Sequence, residues 1–120
     1  MTDVQPAHPD RLTVSHLTVD GIRIVALRGE LDHTARHFAE EALMPPVGDG
    51  PPRTVADLTH LTFMDSSGIN ALIAACHAAI AAQGWVRVAG AQPAVLRVIR
   101  IVGVDALISC HPTVRQALEK

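Results

Sequence analysis

Residues 12–28 read LTVSHLTVDGIRIVALR, two apolar-rich runs joined by Asp20-Gly21. In the first run apolar residues alternate with Thr, Ser and His, which is the period of a strand with one buried face. The second run is rich in branched residues, which favour strands. An Asp-Gly pair between two such runs is typical of a two-residue hairpin turn. The stretch therefore predicts an antiparallel hairpin, and the fold must contain a sheet built on it.

The remainder of the chain alternates between helical and strand-like patterns. Pro45-Pro46 ends the first helix and Gly84 ends the second, because proline cannot continue a helix and glycine favours a helix C-terminus. Asp32 or Thr34 is expected to cap the first helix. Helical patterns occupy 35–43, 65–83, 93–102 and 112–118, strand-like patterns occupy 53–58, 85–89 and 106–109, and 59–64 is predicted as an irregular link.

A hairpin followed by alternating helices and strands predicts parallel strands beside an antiparallel pair, with helices covering the sheet. The predicted fold class is α/β, a single domain with a mixed β-sheet and about four helices packed against it. Residues 11–120 are assigned to this domain, and residues 1–10 are predicted to be a flexible N-terminal leader. A length of 120 residues with 48% hydrophobic side chains fits one core.

The composition argues against several classes of protein. Ten Lys and Arg against twelve Asp and Glu give a net charge of −2, and aromatic residues make up 2%, so neither a phosphate-binding footprint nor a base-stacking platform for nucleic acid is present. The N-terminus lacks the pattern of a signal peptide and no apolar run is long enough for a membrane span. We therefore expect a cytoplasmic protein with no membrane segment, in which Cys76 and Cys110 are free thiols.

Residues 63–69, FMDSSGI, are the segment with the clearest chemical potential. They place two hydroxyl groups at the N-terminus of the second predicted helix, where backbone N–H groups lack helical partners and the dipole favours negative charge. Such a position tolerates a phosphate group. A serine that only caps the helix, followed by a glycine that gives backbone clearance, accounts for the same residues.

Two motifs in this order resemble a known family. The first motif is GELDHTA at residues 29–35, and the second is FMDSSG at residues 63–68 with Asp57-Leu58 upstream of it. Both are similar to the corresponding motifs of the bacterial anti-sigma factor antagonists. Those proteins belong to the STAS domain family, whose domains occur also in sulfate transporters. The resemblance extends from about Leu12 to Leu118 and implies a STAS domain.

The resemblance implies a regulatory switch rather than an enzyme, with no cofactor. The unphosphorylated protein would bind an anti-sigma factor that is also a serine kinase, and so release a sigma factor. The kinase would then use ATP to phosphorylate Ser66, and a metal-dependent serine phosphatase would remove the phosphate. The protein would thus be a phosphoprotein in the partner-switching control of transcription, such as a stress response, and a monomer or weak dimer.

The resemblance also implies which residues form the site. Ser66 would be the phosphorylated residue. Ser67 would be a cap or a hydrogen-bonding neighbour, and Asp65 would orient the acceptor or contact the kinase, unless it is only a carboxylate favoured by the helix dipole. The expected partner-binding residues are Asp32, His33, Thr34, Met64, Asp65, Ser67 and Gly68, although His33 can equally be a solvated surface histidine.

Other functions have weaker support in the residues. A hydrolase using Ser66 would lack the Gly-x-Ser-x-Gly elbow, and a metal site at His33 and His37 would lack both the glutamate of His-Glu-x-x-His and a third ligand. No glycine-rich loop supports nucleotide binding. The main rival is a STAS scaffold subunit of a stress-sensing complex, which would be found in a large assembly.

Overall fold

The computed structural model describes residues 3–8, 12–46, 48 and 50–119. Its strands are β1 (Asp3–His8), β2 (Leu12–Val19), β3 (Ile22–Leu31), β4 (Arg53–Asp57), β5 (Leu61–Met64), β6 (Trp85–Ala89) and β7 (Cys110–His111). Its helices are α1 (Arg36–Leu43), α2 (Ser66–Ala81), α3 (Pro93–Ile101) and α4 (Val114–Leu118), with a short 3₁₀ turn at Val104–Ala106.

Within the described residues, all seven strands belong to one sheet, in the order β1-β2-β3-β4-β6-β7, with β5 beside β3 as well. The strands β1, β2 and β3 pair antiparallel, whereas β3 with β4, β3 with β5, β4 with β6 and β6 with β7 pair parallel. The sheet is therefore mixed and carries four helices, which confirms the predicted fold class.

The predicted hairpin is also confirmed. The strands β2 and β3 pair from Leu12 opposite Gly29 to Val19 opposite Ile22. Asp20 and Gly21 between them have φ angles of 51° and 78°. Positive φ at both central residues is the geometry whose twist matches that of the flanking strands, so the turn fixes the register of the whole hairpin.

The N-terminal segment differs from its prediction. Residues 3–8, expected to be part of a flexible leader, form β1 and pair with β2 from Asp3 opposite His16. The pairing uses backbone groups on the outer edge of β2. Because proline is tolerated in an edge strand, the presence of Pro6 did not exclude a strand here. Residues 1, 2, 9 and 10 of the predicted leader lie outside the described residues.

Two further elements were predicted wrongly. Residues 61–64, predicted as part of an irregular link, form β5, in which Thr62 and Phe63 are both exposed, so the alternation of a strand is missing. The strand predicted at 106–109 is a 3₁₀ turn and its continuation, and the strand itself is β7 at Cys110–His111. Val104 at the start of this turn and Ile108 just after it are both buried. Their apolar side chains account for the strand-like pattern.

The helices divide the apolar side chains between two faces of the sheet. The larger core joins α1, α2 and α3 to buried residues of the strands, such as Val25, Leu27 and Leu31 of β3. A smaller cluster on the other face joins Ala117 of α4 to Ile24 and Val55. Because successive residues of a strand point to opposite faces, β3 contributes its odd-numbered positions to one core and its even-numbered positions to the other.

Arg23 of β3 attaches the C-terminus of α1 to the sheet. Its guanidinium donates to the carbonyl oxygens of Ala42 at 2.8 Å, Leu43 at 2.9 Å and Met44 at 3.1 Å. Burial lowers the pKa of this guanidinium. A cation at a helix C-terminus satisfies carbonyl groups that have no helical partner and interacts favourably with the dipole, so Arg23 fixes where α1 stops.

The two cysteines are free thiols, as predicted. Cys76 of α2 is buried and Cys110 of β7 is partly buried. Burial raises the pKa of both thiols, and the carboxylate of Asp105 raises that of Cys110 further. A raised pKa lowers the thiolate fraction and with it the reactivity of the sulfur.

We expect Gly84→Ala to be strongly destabilising. A Cβ at this position, between α2 and β6, would overlap the carbonyl group of Pro52. That carbonyl oxygen accepts from Trp85 N at 2.9 Å, and Gly84 N donates to Ala79 O at 2.7 Å, so backbone on both sides would have to move. The free energy of unfolding should fall by about 2–3 kcal/mol, measured by urea denaturation.

The matched control is Gly48→Ala, because a Cβ at Gly48 would have nothing within 4 Å among the described residues. Its unfolding free energy should stay within about 0.5 kcal/mol of the wild type. Equal denaturation midpoints for the two variants would contradict the close approach of Gly84 to Pro52.

Candidate functional site

The two sequence motifs meet at one edge of the sheet. Leu31 at the end of β3 is the parallel partner of Met64 at the end of β5, so the carboxyl ends of the two strands lie side by side. Asp65 N donates to Leu31 O at 3.4 Å, which holds the two chain segments together just beyond the strands. Asp32 and Asp65, each the first residue after its strand, are thereby brought to the same end of the molecule.

Asp65 is the N-cap of α2. It has extended backbone angles, φ −107° and ψ −164°, and its Oδ1 accepts from Ser67 N at 2.8 Å. Its carbonyl oxygen accepts the first helical bonds, from Gly68 N at 3.1 Å and Ile69 N at 3.3 Å. The structure therefore shows the helix-capping role of Asp65, in which a carboxylate satisfies a free N–H of the helix, and a contact of Asp65 with a kinase stays a prediction.

Asp32 organises the turn that leads into α1. Its Oδ1 accepts from Thr34 Oγ1 at 2.6 Å, Thr34 N at 3.0 Å and Ala35 N at 3.3 Å. The residue at the N-cap position of α1 is Ala35, which makes no side-chain cap. Asp32 therefore caps the turn that precedes α1, three residues before Ala35. Thr34 donates a hydrogen bond to Asp32 and does not cap the helix.

The two serines of the motif differ sharply in exposure. Ser66, the first residue of α2, is exposed, whereas Ser67 is 9% exposed and is buried against the core. A hydroxyl group at Ser66 is accessible to another protein without any change of the fold. The residue Ser67 offers far less of its surface to another protein.

Three of the predicted partner-binding residues lie beneath the surface. Met64 is 4% exposed, Ser67 is buried as described, and Gly68 is buried in α2. A Cβ at Gly68 would overlap the side chain of Met64 and lie 3.3 Å from Leu31 Cδ1. These residues position the first turn of α2 on the ends of β5 and β3, and the predicted residues with solvent access are Asp32, His33, Thr34 and Asp65.

Phe63 is a surface residue that sequence reasoning did not include in the site. It precedes Met64 in β5 and is 47% exposed. The sequence analysis assigned Phe63 to an irregular link. In the structure Phe63 belongs to strand β5 and pairs with Glu30 of β3. The detectable signal was an aromatic residue next to a helix-capping motif, since exposed aromatic side chains are enriched in protein interfaces.

His37 of α1 lies on a solvent-exposed helix face. His37 Nε2 lies 2.9 Å from Glu41 Oε1, and both side chains are largely exposed. Across the described ranges, no group of three His, Cys, Asp or Glu side chains is arranged to hold a metal ion. In the same ranges, no helix has both the length and the apolar character needed to cross a membrane.

The chain has recognisable relatives. Residues 14–117 match the STAS domain model. The anti-sigma-F factor antagonist RsfB of Mycobacterium tuberculosis is 28% identical over 110 residues, which cover 92% of this chain and 89% of RsfB. A crystal structure of an anti-sigma factor antagonist from Mycobacterium paratuberculosis is 32% identical with a TM-score of 0.81, over 92% of this chain and 94% of that one.

SpoIIAA shares the fold at lower identity. Its unphosphorylated form is 23% identical with a TM-score of 0.67, over 88% of this chain and 92% of that chain. Its phosphorylated form, from Bacillus, is 19% identical with a TM-score of 0.58, over 89% and 96%. The family model spans nearly the whole described sheet and its helices, and the resemblance inferred from the two motifs is confirmed: the chain belongs to the STAS domain family, among the anti-sigma factor antagonists.

Proposed function

We propose that this protein binds an anti-sigma factor in its unphosphorylated form and is released when Ser66 is phosphorylated. The observation that carries the proposal is the contrast between an exposed Ser66 and a buried Ser67 at the start of a helix capped by Asp65. The two mycobacterial relatives are anti-sigma factor antagonists, which supports the same class of partner.

The proposed contact region, called the switch surface below, consists of Asp32, His33, Thr34, Asp65 and Ser66. All five have solvent access and come from the two segments joined by the Asp65 N to Leu31 O bond. Met64, Ser67 and Gly68 act from beneath by fixing the position of Ser66. Phe63, exposed one residue before Met64 in β5, is added as an apolar candidate contact.

The free protein can accept a phosphate at Ser66 without refolding. The modification adds about 1.5 to 2 negative charges. These would stand on the first residue of a 16-residue helix with no acidic residue in its first turn, where the dipole and the N–H groups favour negative charge. The Asp65 carboxylate opposes this in part, but it is already bonded to Ser67 N.

The complex responds differently to the same phosphate. At a protein interface the group would be desolvated beside the carboxylates of Asp32 and Asp65. An unpaired charge buried in this way costs about 3–5 kcal/mol, which corresponds to a hundredfold or greater loss of affinity. One modification therefore releases the partner while the fold of the antagonist is unchanged.

In the proposed cycle the protein is a substrate rather than an enzyme. The anti-sigma factor, acting as a serine kinase, transfers the γ-phosphoryl group of ATP to Ser66 Oγ. A P–O bond forms at Oγ, the bond to ADP breaks, and the hydroxyl proton passes to a base of the kinase. A metal-dependent serine phosphatase hydrolyses the phosphoserine and restores the free hydroxyl group. Both reactions would take place in the cytoplasm, with the antagonist as a monomer or weak dimer.

Substitutions at Ser66 should separate binding from release. Ser66→Asp should weaken binding to the anti-sigma factor of the same organism by tenfold or more, because it places one permanent negative charge in the interface. Ser66→Ala should bind like the wild type and remain bound in the presence of ATP. Isothermal titration calorimetry with the purified anti-sigma factor measures both effects.

Ser109→Asp provides the control, since it adds the same charge at an exposed serine in the segment before β7 and should leave the affinity unchanged. Wild-type affinity for Ser66→Asp would exclude the switch. Recovery of the protein in a large assembly that does not respond to ATP would favour a scaffold role.

The burial of Ser67 leads to a second expectation. Incubation with the kinase and ATP should add a single phosphate, located at Ser66 by fragment mass spectrometry. Ser67→Ala should still be phosphorylated, whereas Ser66→Ala should remain unmodified because Ser67 is only 9% exposed in the folded chain. Phosphorylation of Ser66→Ala at the wild-type rate would show that exposure does not select the acceptor.

In the unphosphorylated protein, Phe63→Ala should weaken binding to the anti-sigma factor by about tenfold, as expected for loss of an aromatic contact at an interface. Ile101→Ala is the matched control. Ile101 is 75% exposed and lies at the end of α3 remote from Gln92, whose Nε2 donates to Thr59 O near the carboxyl ends of the strands. Equal affinities for the two variants would remove Phe63 from the interface.

A further inference from the structure

The face of the sheet opposite α1 and α2 is only partly covered. Of the helices that the structure describes, only α4 packs there; it has five residues and lies on the half of the face formed by β4, β6 and β7. Its Ala117 joins a cluster with Ile24, Val55 and Ala89. Beyond this cluster, Leu17 of β2 is 39% exposed. Ile22 and Ile24 of β3 are covered within this cluster, whereas the part of the face formed by residues 13–17 of β2 and 26–28 of β3, called the open half below, has solvent access.

A concave site lies on the open half. Ala26 of β3 is the register partner of Ser15 in β2 and of Asp57 in β4, and Arg28 is the partner of Thr13. Partner residues on neighbouring strands point to the same face, so larger polar side chains surround the small side chain of Ala26. These residues and His60 line a cleft of about 260 Å³, called the sheet-face cleft below.

The position of His60 in the cleft is fixed by the backbone. Its carbonyl oxygen accepts from Gly29 N at 3.0 Å, which places His60 directly beside the residue that follows Arg28. Arg28 and His60 both line the cleft.

The polar groups of the cleft are largely uncommitted. Among the residues that the structure describes, the side chains of Arg28, His60, Thr13 and Ser15 make no hydrogen bond or ion pair. Asp57 differs, because its Oδ1 accepts from Thr59 Oγ1 at 2.5 Å and from Thr59 N at 3.1 Å. The cleft thus presents a guanidinium, an imidazole and two hydroxyl groups as free donors, with one carboxylate already held in place at its edge.

We propose that the sheet-face cleft binds a small phosphate monoester. Arg28 and His60 would contact the phosphoryl oxygens, since a guanidinium matches that group with paired donors. Thr13, Ser15 and Asp57 would face hydroxyl groups of the ligand, and the carboxylate disfavours a second anionic group there. The volume of about 260 Å³ lies just below the range of about 300–1,000 Å³ typical of small-molecule pockets, which suits a compact hydroxylated ester.

This site is separate from the switch surface. Ala26 and Arg28 of β3 line the cleft, and Leu27 between them also borders it but is 1% exposed and belongs to the larger core, as does Leu31. The proposal does not depend on the anti-sigma factor or on phosphorylation of Ser66, and its test requires neither.

The test is a titration of the isotope-labelled full chain with glycerol 3-phosphate at constant ionic strength, followed by ¹H–¹⁵N correlation spectra. Saturable shifts are expected at the amides of Thr13, Ala26 and Asp57, with a Kd on the order of 1 mM or below. Arg28→Gln should weaken binding at least tenfold. Arg97→Gln, which removes an exposed arginine of α3 outside the cleft, should bind like the wild type.

Three results would overturn the proposal. Shifts that do not saturate would show only weak ionic association. Equal affinity of Arg28→Gln and the wild type would remove the guanidinium from the site. Shifts confined to the amides of residues 66–68 would place the phosphate group at the start of α2 instead.

Discussion

Strand β3 pairs with two successive strands along one of its edges, and the arrangement of the site depends on that pairing. Arg23 to Ala26 pair with β4, and Gly29 to Leu31 pair with β5. The register shifts between Gly29 and Glu30, where Gly29 has a φ of 107° that other residues rarely adopt. This shift allows β5 to continue along the edge after the chain leaves β4, and it brings Met64 level with Leu31.

The consequence reaches the first turn of α2. With Met64 fixed beside Leu31, Asp65 leaves the sheet next to Asp32, and Gly68 allows the helix to approach the Met64 side chain closely. The hydroxyl group of Ser66 is then held at a defined point by backbone bonds and close packing rather than by a flexible loop. A modification enzyme and a binding partner would meet the same rigid geometry, which is the condition for one phosphate group to control an interface.

The sequence predicted correctly those helices, strands and turns whose formation depends on local side-chain patterns. The Asp20-Gly21 turn, the strands beside it and the helices ended by Pro45 and Gly84 were predictable because turn conformation, apolar periodicity and helix stops are local. Strands β1 and β5 were not, since their main contribution is backbone pairing with an existing strand, which requires no periodic sequence. The motif around Ser66 was recognisable in the same way, but the burial of Ser67 and Met64 arises from the approach of α2 to β5, and no local pattern encodes that distance.

The alternation of β3 has a consequence for how the protein can diverge. Odd-numbered residues such as Val25 and Leu27 are enclosed by helices, whereas the even-numbered Ala26 and Arg28 face the open side of the sheet. Replacements at these even-numbered positions leave the larger core intact. Paralogues that arise by gene duplication can therefore change what this side of the sheet recognises while inheriting an unaltered partner specificity on the other.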